Sequence, residues 1–202
     1  MVIKKKQKNK PQPHQVLQAI QFSERLTDTR LWIEKADELI SAANLLEAEA
    51  LKYWSEIKVE NTRIVSIPNR KNVQVAYLLL IAYALENFLK ALLIHQNQKT
   101  LKGRLLQKLP SYLLSHDLIE LSSKARFNIN VSEEELFCRL SRFSIWKARY
   151  PVPLYSDALA NMKILSDEKA HFTDYYKPQD INLIHNIIDR LRKYVEVIPK
   201  PP

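Results

Sequence analysis

The apolar stretch Val75–Ile94 constrains the fold more than any other part of this sequence. Every residue from Val75 to Leu85 is apolar, and only Glu86, Asn87 and Lys90 interrupt the remainder. A helix that is apolar on all sides is buried on all sides. We therefore expect this stretch to be the central helix of a helical bundle.

A transmembrane helix is the competing interpretation of the same stretch. Its three polar residues would lie near or past the midpoint of such a span, and the uninterrupted apolar run is too short to cross a bilayer. The N-terminus, MVIKKKQKNK, is charged and lacks the apolar core of a secretory signal. We therefore predict a cytoplasmic protein with no membrane partner.

Glycine and cysteine counts exclude several classes of protein. Gly103 is the single glycine in 202 residues, whereas sheets, tight hairpins and phosphate-binding loops all rely on glycine. A Walker loop and a dinucleotide-binding motif are therefore excluded. The single cysteine, Cys138, excludes an internal disulfide and a multi-cysteine metal site. We predict neither a metal nor a cofactor.

The formal charge of +9 is concentrated at the N-terminus. Five lysines lie within residues 4–10, and without them the body carries only about +4, an ordinary value for a soluble domain. We expect a disordered basic tail over residues 1–21, a bundle over 22–198 and a frayed C-terminus over 199–202.

Apolar residues recur at spacings of three and four along most of the chain, and no strand-like alternation of any length occurs. This pattern predicts an all-α, antiparallel helical bundle of four or five long helices plus one or two short ones. The first expected helix begins at about Phe22, has Thr27 or Asp28 as a cap and fades near Ile57–Val59. The others are Asn72 to Gln96, Ser115 to Lys124, Ser132 to Ala148, Asp157 to Tyr176, and one capped by Asp180. A loop is expected over 62–71 and a short helical segment within 97–110.

Two polar groups within this pattern could carry chemistry. Glu86 and Lys90 are four residues apart and can pair on one helix face, either in a polar pocket or where the helix end emerges into water. His116-Asp117 is similar to the His-Asp pair of metal-dependent phosphohydrolases, but the other histidines have no ligand-like spacing. A helix start, with Ser115 as its cap, explains that pair more simply.

Basic residues suggest a phosphate-binding face. This face would combine two groups of basic residues, with Tyr150 available to stack on a base. An ordinary solvated surface is the alternative interpretation. The two groups are Arg139, Arg142, Lys147 and Arg149 near the end of one expected helix, and Arg190, Arg192 and Lys193 in the last one.

Three segments resemble a known family. Ala84–Leu92, ALENFLKAL, resembles the A-x-E-x-x-L-K-A-L core helix of HEPN-type domains. Ser115–Leu121, SHDLIEL, is similar to the G-H-D-L-x-x-L segment that follows it, with Ser115 in place of the glycine. Ala148–Pro151, ARYP, looks like the later RYP turn, and the three segments come in the family's order.

The resemblance implies an antiparallel helical bundle, usually a homodimer, in prokaryotic defence, toxin–antitoxin or nucleotide-related systems. Many HEPN proteins are metal-independent RNases that use an arginine followed, after four to six residues, by a histidine. Arg149 matches that arginine, but the corresponding window, Leu154-Tyr155-Ser156, contains no histidine. The general acid/base is therefore missing, and the resemblance favours binding without catalysis.

Three hypotheses follow. The first is a non-catalytic HEPN-like homodimer that binds a nucleotide, RNA or a protein partner such as a nucleotidyltransferase. The second is a divergent HEPN-type RNase in which Arg149 acts with Tyr150 or His116. The third is a purely structural interaction module. The candidate ligand-binding residues are Arg149, Tyr150, Glu86, Asn87, Lys90 and His116.

Overall fold

Helices dominate the protein in a computed structural model, which describes residues 12–60, 63–66, 68–69, 72–144 and 178–197. The all-α helical bundle predicted from the sequence is confirmed. The elements are α1 (Pro13–Thr27), α2 (Thr29–Glu56), β1 (Lys58–Glu60), β2 (Arg63–Ser66), α3 (Gln74–Gln96), α4 (Gln98–Leu101), a 3₁₀ turn (Ser111–Leu113), α5 (Leu118–Lys124), α6 (Val131–Arg142) and α7 (Pro178–Glu196).

Helix α3 is the centre of the bundle, as predicted. It packs most extensively on α2 and also contacts α5, α6 and α7. Tyr77, Leu85, Phe88 and Ile94 are fully buried along its length. By length and composition α3 could cross a membrane, but 78% of its most apolar window is buried inside the bundle. Its apolar surface is therefore used for packing within the protein.

The first helix begins earlier than the sequence predicted. Residues 13–21 belong to α1, so the prediction of a disordered tail over 1–21 is wrong for that part. Pro13 occupies the first turn, where its fixed φ favours a helix, and the Gln12 amide donates to Gln15 Oε1 at 3.0 Å. Residues 1–11 lie outside the described part of the chain.

Asp28 divides the long N-terminal pattern into two helices and confirms one of the predicted caps. Its side chain accepts a hydrogen bond from the Arg30 backbone at 3.1 Å and caps α2. The Arg30 guanidinium donates to both of its carboxylate oxygens, at 2.9 and 2.8 Å. These hydrogen bonds lower the pKa of Asp28.

A short hairpin replaces part of the loop predicted for residues 62–71. β1 and β2 pair antiparallel, with Val59 opposite Ile64 and an irregularity between Lys58 and Val59. β-branched residues favour extended backbone. The segment is too short to show a clear alternation of apolar and polar residues, so its sequence does not predict the hairpin.

Two helix caps differ from the prediction. The capping box of α6 joins Asn130 to Glu133, so the box predicted at Ser132 is wrong by two residues. Both residue pairs fit the motif, and the earlier start lengthens the helix without losing a capping bond. Asp117, and not Ser115, caps α5 by accepting hydrogen bonds from two backbone amides.

The last helix begins at Pro178, so Asp180 lies in its first turn and is not its cap. Proline is tolerated at the start of a helix because the first amide groups have no intrahelical acceptor. The predicted helix over 157–176, the end of α6 near Ala148 and the C-terminus at 199–202 lie outside the described residues.

A polar cluster links α2, α3 and α7 on the side of α3 that faces α2. The Nε2 atom of His185 lies 2.8 Å from Glu47, and the fully buried Tyr77 donates to the same carboxylate at 3.4 Å. Burial, and next the negative charge of Glu47, raise the pKa of Tyr77. Trp54 packs edge-on against the Tyr77 ring at 6.3 Å.

We expect this cluster to make the free energy of unfolding fall as pH rises through the alkaline range. Because the pKa of Tyr77 is higher in the folded than in the unfolded chain, its contribution is present below the unfolded value of about 10 and is lost as pH rises above it. Urea unfolding between neutral pH and about pH 11 measures the slope. Tyr77→Phe should flatten that slope relative to wild type, and an unchanged slope would contradict the assignment.

Candidate functional site

The polar residues of α3 form a buried ion pair. Lys90 Nζ donates to Glu86 Oε1 at 2.7 Å, and the two residues are only 5% and 7% exposed. The pairing predicted from their spacing is confirmed. The alternative, that they mark a helix end emerging into water, is wrong because α5, α6 and α7 cover this helix.

His116 completes the cluster from a different part of the chain. Its Nδ1 atom lies 3.1 and 3.0 Å from the two carboxylate oxygens of Glu86. The imidazole is 59% exposed, whereas the Glu86 side chain is 10% exposed. The cluster therefore runs from the buried ammonium through the carboxylate to an imidazole at the surface.

The segment that carries His116 is anchored on both sides. Leu113 and Leu118 are buried, and the Leu118 amide donates to Ser141 Oγ of α6 at 2.8 Å. Asp117 caps α5 directly after the histidine. The imidazole is therefore held against α3 by fixed backbone on either side. Ser141 was not singled out from the sequence, since a serine inside a helix gives no local signal of such a contact.

Orientation of the imidazole follows from its partner. A carboxylate only accepts hydrogen bonds, so the Nδ1 atom of His116 carries the hydrogen that faces Glu86. Among the described residues, Nε2 has no hydrogen-bond partner. In the neutral ring Nε2 is an acceptor, and in the charged ring it is a donor. The site can thus present either function to a ligand.

The other predicted site residues are not part of this contact. Asn87 donates to the Tyr83 carbonyl of its own helix at 2.7 Å and is half-buried. This bond lies within α3, and no described hydrogen bond joins Asn87 to Glu86, Lys90 or His116. Arg149 and Tyr150 lie outside the described residues.

Two of the arginines expected to form a phosphate-binding face, Arg139 and Arg192, take part in contacts between helices. Arg139 of α6 donates to Asp180 of α7 through two parallel hydrogen bonds, at 2.7 and 2.9 Å. Arg192 of α7 donates to Asp37 of α2 at 2.8 Å. These two arginines therefore hold helices together, whereas the described hydrogen bond of Arg142 stays within α6. The phosphate-binding face itself stays a prediction.

Arg190 has a similar structural role. It pairs with the buried Glu133 and donates to the Asn128 carbonyl, and its guanidinium lies over the Phe127 ring, 4.8 Å from the centroid. Tyr194 packs edge-on against the same ring at 5.4 Å. This arginine therefore fixes the start of α6 to α7.

No group of three or more histidine, cysteine, aspartate or glutamate residues within the described ranges could hold a metal ion. Asp117 is engaged in capping, and His116 is directed to Glu86. The His-Asp pair is therefore explained by a helix start and an imidazole–carboxylate contact.

Comparisons with known proteins give no family for the chain. No protein-family model matches it, and no curated protein or solved structure gives a significant match. The HEPN resemblance consequently depends on the three sequence segments alone.

Proposed function

We propose that this protein is a non-catalytic HEPN-like bundle that binds a nucleotide or a stretch of RNA at His116. The single observation that carries the proposal is the contact between His116 and Glu86. These residues belong to two separate segments of the resemblance, and the contact joins them at the surface of the core helix.

The charges of the cluster suit an anionic ligand. Lys90 offsets Glu86, so the pair contributes no net charge, and the positive charge of a protonated His116 remains at the surface. A phosphate oxygen can accept from its Nε2 atom, and charge-assisted hydrogen bonds of this kind are stronger than neutral ones. A neutral ring can instead accept from a ribose hydroxyl.

The burial of Glu86 and Lys90 favours a functional role for this cluster over a stabilising one. Taking an ion pair out of water costs about as much as the attraction returns, so such a pair is weak evidence for a stabilising role. What Glu86 supplies is orientation: it holds a half-exposed imidazole in one tautomer. A fixed imidazole loses little freedom when a ligand binds.

Ligand titration tests the proposal. We would titrate purified protein with adenosine monophosphate, adenosine triphosphate and a single-stranded RNA oligonucleotide and follow the melting temperature. His116→Ala should weaken binding by roughly tenfold or more, as expected for loss of a charge-assisted hydrogen bond. Arg149→Ala, which changes the arginine of the third segment, should also weaken it.

His185→Ala is the matched control. His185 is also a surface histidine that contacts a glutamate, Glu47, and its side chain is 45% exposed. It lies on α7 and belongs to none of the three segments. Equal binding by wild type and His116→Ala, or no response to any of the three ligands, would refute the proposal and leave a structural interaction module.

RNA cleavage is a second candidate, favoured by the same contact. An imidazole oriented by a carboxylate is the usual arrangement of a general acid/base, and His116 would replace the histidine missing after Arg149. Chelator-resistant cleavage of RNA that disappears in His116→Ala and persists in His185→Ala would support it. Absence of cleavage would exclude this candidate without affecting the binding proposal.

A further inference from the structure

The outward side of α2 carries the most exposed large apolar side chain among the described residues. Leu45 is 84% exposed, whereas Ala43 and Ala50 of the same helix are fully buried against the core. Ala42 and Ala48 lie three residues to either side of Leu45 and are exposed with it. Because residues three apart are neighbours on a helix surface, the leucine projects from α2 between two small side chains.

Charges of opposite sign lie symmetrically around this apolar centre. Glu38 lies seven residues before Leu45 and Lys52 seven residues after it, and both are exposed. Seven residues are close to two helical turns, so the two charges share the side of Leu45. We call the whole set the α2 face; it consists of Glu38, Ser41, Ala42, Leu45, Ala48, Glu49 and Lys52.

We infer that the α2 face binds a second copy of this chain, with the two α2 helices antiparallel and a two-fold axis at Leu45. Such an axis places residues at equal distances before and after Leu45 opposite one another. Leu45 then meets Leu45 of the partner subunit, and Ala42 faces Ala48 of the partner subunit. The separation of packed helices depends on the side chains at their contact, and these small residues leave room for the two leucines.

The order of the charges determines the orientation of the two helices. In the antiparallel pair Glu38 faces Lys52 of the partner subunit, and the symmetry makes this contact twice. A parallel pair would place each charge opposite its own copy, and like charges in contact disfavour a complex. Glu34 and Glu56 would face each other, but they lie 11 positions from Leu45, about 16 Å along the helix. Two crossing helices have diverged at that distance.

This interface leaves the proposed ligand site open. Tyr77 of α3 faces α2, since its hydroxyl donates to Glu47. Glu86 follows nine residues later, which is two and a half helical turns, so it lies on the opposite side of α3 with His116. The inference is therefore independent of the function proposed for His116. It is also independent of the HEPN resemblance, because no residue of the α2 face belongs to the three segments.

Sedimentation equilibrium of the full chain tests the inference. The protein should form a dimer at concentrations up to about 100 μM, where weak complexes are populated. Leu45→Ala should raise the dissociation constant by roughly 100-fold, because each dimer loses two buried leucine side chains. Glu38→Lys and Lys52→Glu should each raise it by roughly tenfold, since two attractive contacts become two repulsive ones.

Exchange of the two charges tests the register of the helices. A chain with both Glu38→Lys and Lys52→Glu again has opposite charges across the axis, so its dissociation constant should return to within about threefold of the wild-type value. An equimolar mixture of the two single variants should form heterodimers, because one chain then carries two positive charges at these positions and the other two negative ones.

Matched controls come from exposed residues outside the α2 face. Leu17→Ala changes a leucine of α1 that is 56% exposed, and Lys102→Glu reverses an exposed charge. Both variants should dimerise like wild type, as should His116→Ala. Circular dichroism of each variant checks its fold.

Three results would overturn the inference. The first is a monomer at every concentration. The second is a dimer that Leu45→Ala leaves unchanged, since the contact would then lie on another surface. The third is a charge-exchanged chain that dimerises no better than the two single variants, because Glu38 and Lys52 would then not face each other across the axis.

Discussion

Glu86→Ala is expected to lower the free energy of unfolding by about 3–5 kcal/mol, the usual cost of leaving one partner of a buried ion pair without the other. The Lys90 side chain is 6% exposed and would remain charged among the apolar residues of α3. Urea unfolding followed by circular dichroism measures the loss.

Removing Lys90 should cost less than removing Glu86. In Lys90→Met the carboxylate keeps its contact with His116, so it is not left alone. The double change Glu86→Gln with Lys90→Met should recover most of the stability, because two neutral residues of similar size replace the pair. A loss below about 1 kcal/mol in Glu86→Ala would contradict the buried pairing.

The part of this site that sequence could predict is the part governed by local rules. The spacing of Glu86 and Lys90 places both on one helix face, and the apolar run around them predicts a buried helix. Both expectations depend only on residues within a few turns. Whether the pair is buried or solvated depends on which helices cover α3, and the local sequence does not show that.

The contact of His116 with Glu86 is different in kind. The two residues are 30 positions apart, and nothing in the periodicity of either segment indicates that they meet. The resemblance grouped the two segments, but the distance of 3.0 Å follows from how Leu113 and Leu118 are buried on either side of the histidine. Tertiary packing determines it.

Ion pairs between residues far apart in the sequence could not be predicted either. Arg192 and Asp37 are 155 positions apart, and Arg139 and Asp180 are 41 apart. The chain contains 31 basic and 22 acidic residues, so the sequence offers each arginine many candidate partners. The sequence indicated a basic cluster, and only the fold shows that Arg139 and Arg192 join helices.

Arg139→Ala is expected to lower the free energy of unfolding by about 3–5 kcal/mol, as for other buried pairs broken on one side. Its side chain and that of Asp180 are 10% and 9% exposed, and their two parallel hydrogen bonds join α6 to α7. Urea unfolding measures the effect. Arg139→Lys should recover part of the loss, because lysine keeps the charge but cannot form the planar double contact.

An exposed pair provides the contrast for Arg139. Lys35 and Glu38 of α2 are 56% and 65% exposed, and Lys35→Ala should change stability by less than about 1 kcal/mol, since exposed ion pairs contribute little. If Arg139→Ala were equally mild but reduced binding of RNA or nucleotide, Arg139 would contact ligand, and the predicted phosphate-binding face would be supported. A large loss of stability instead means that this arginine holds α7 against α6.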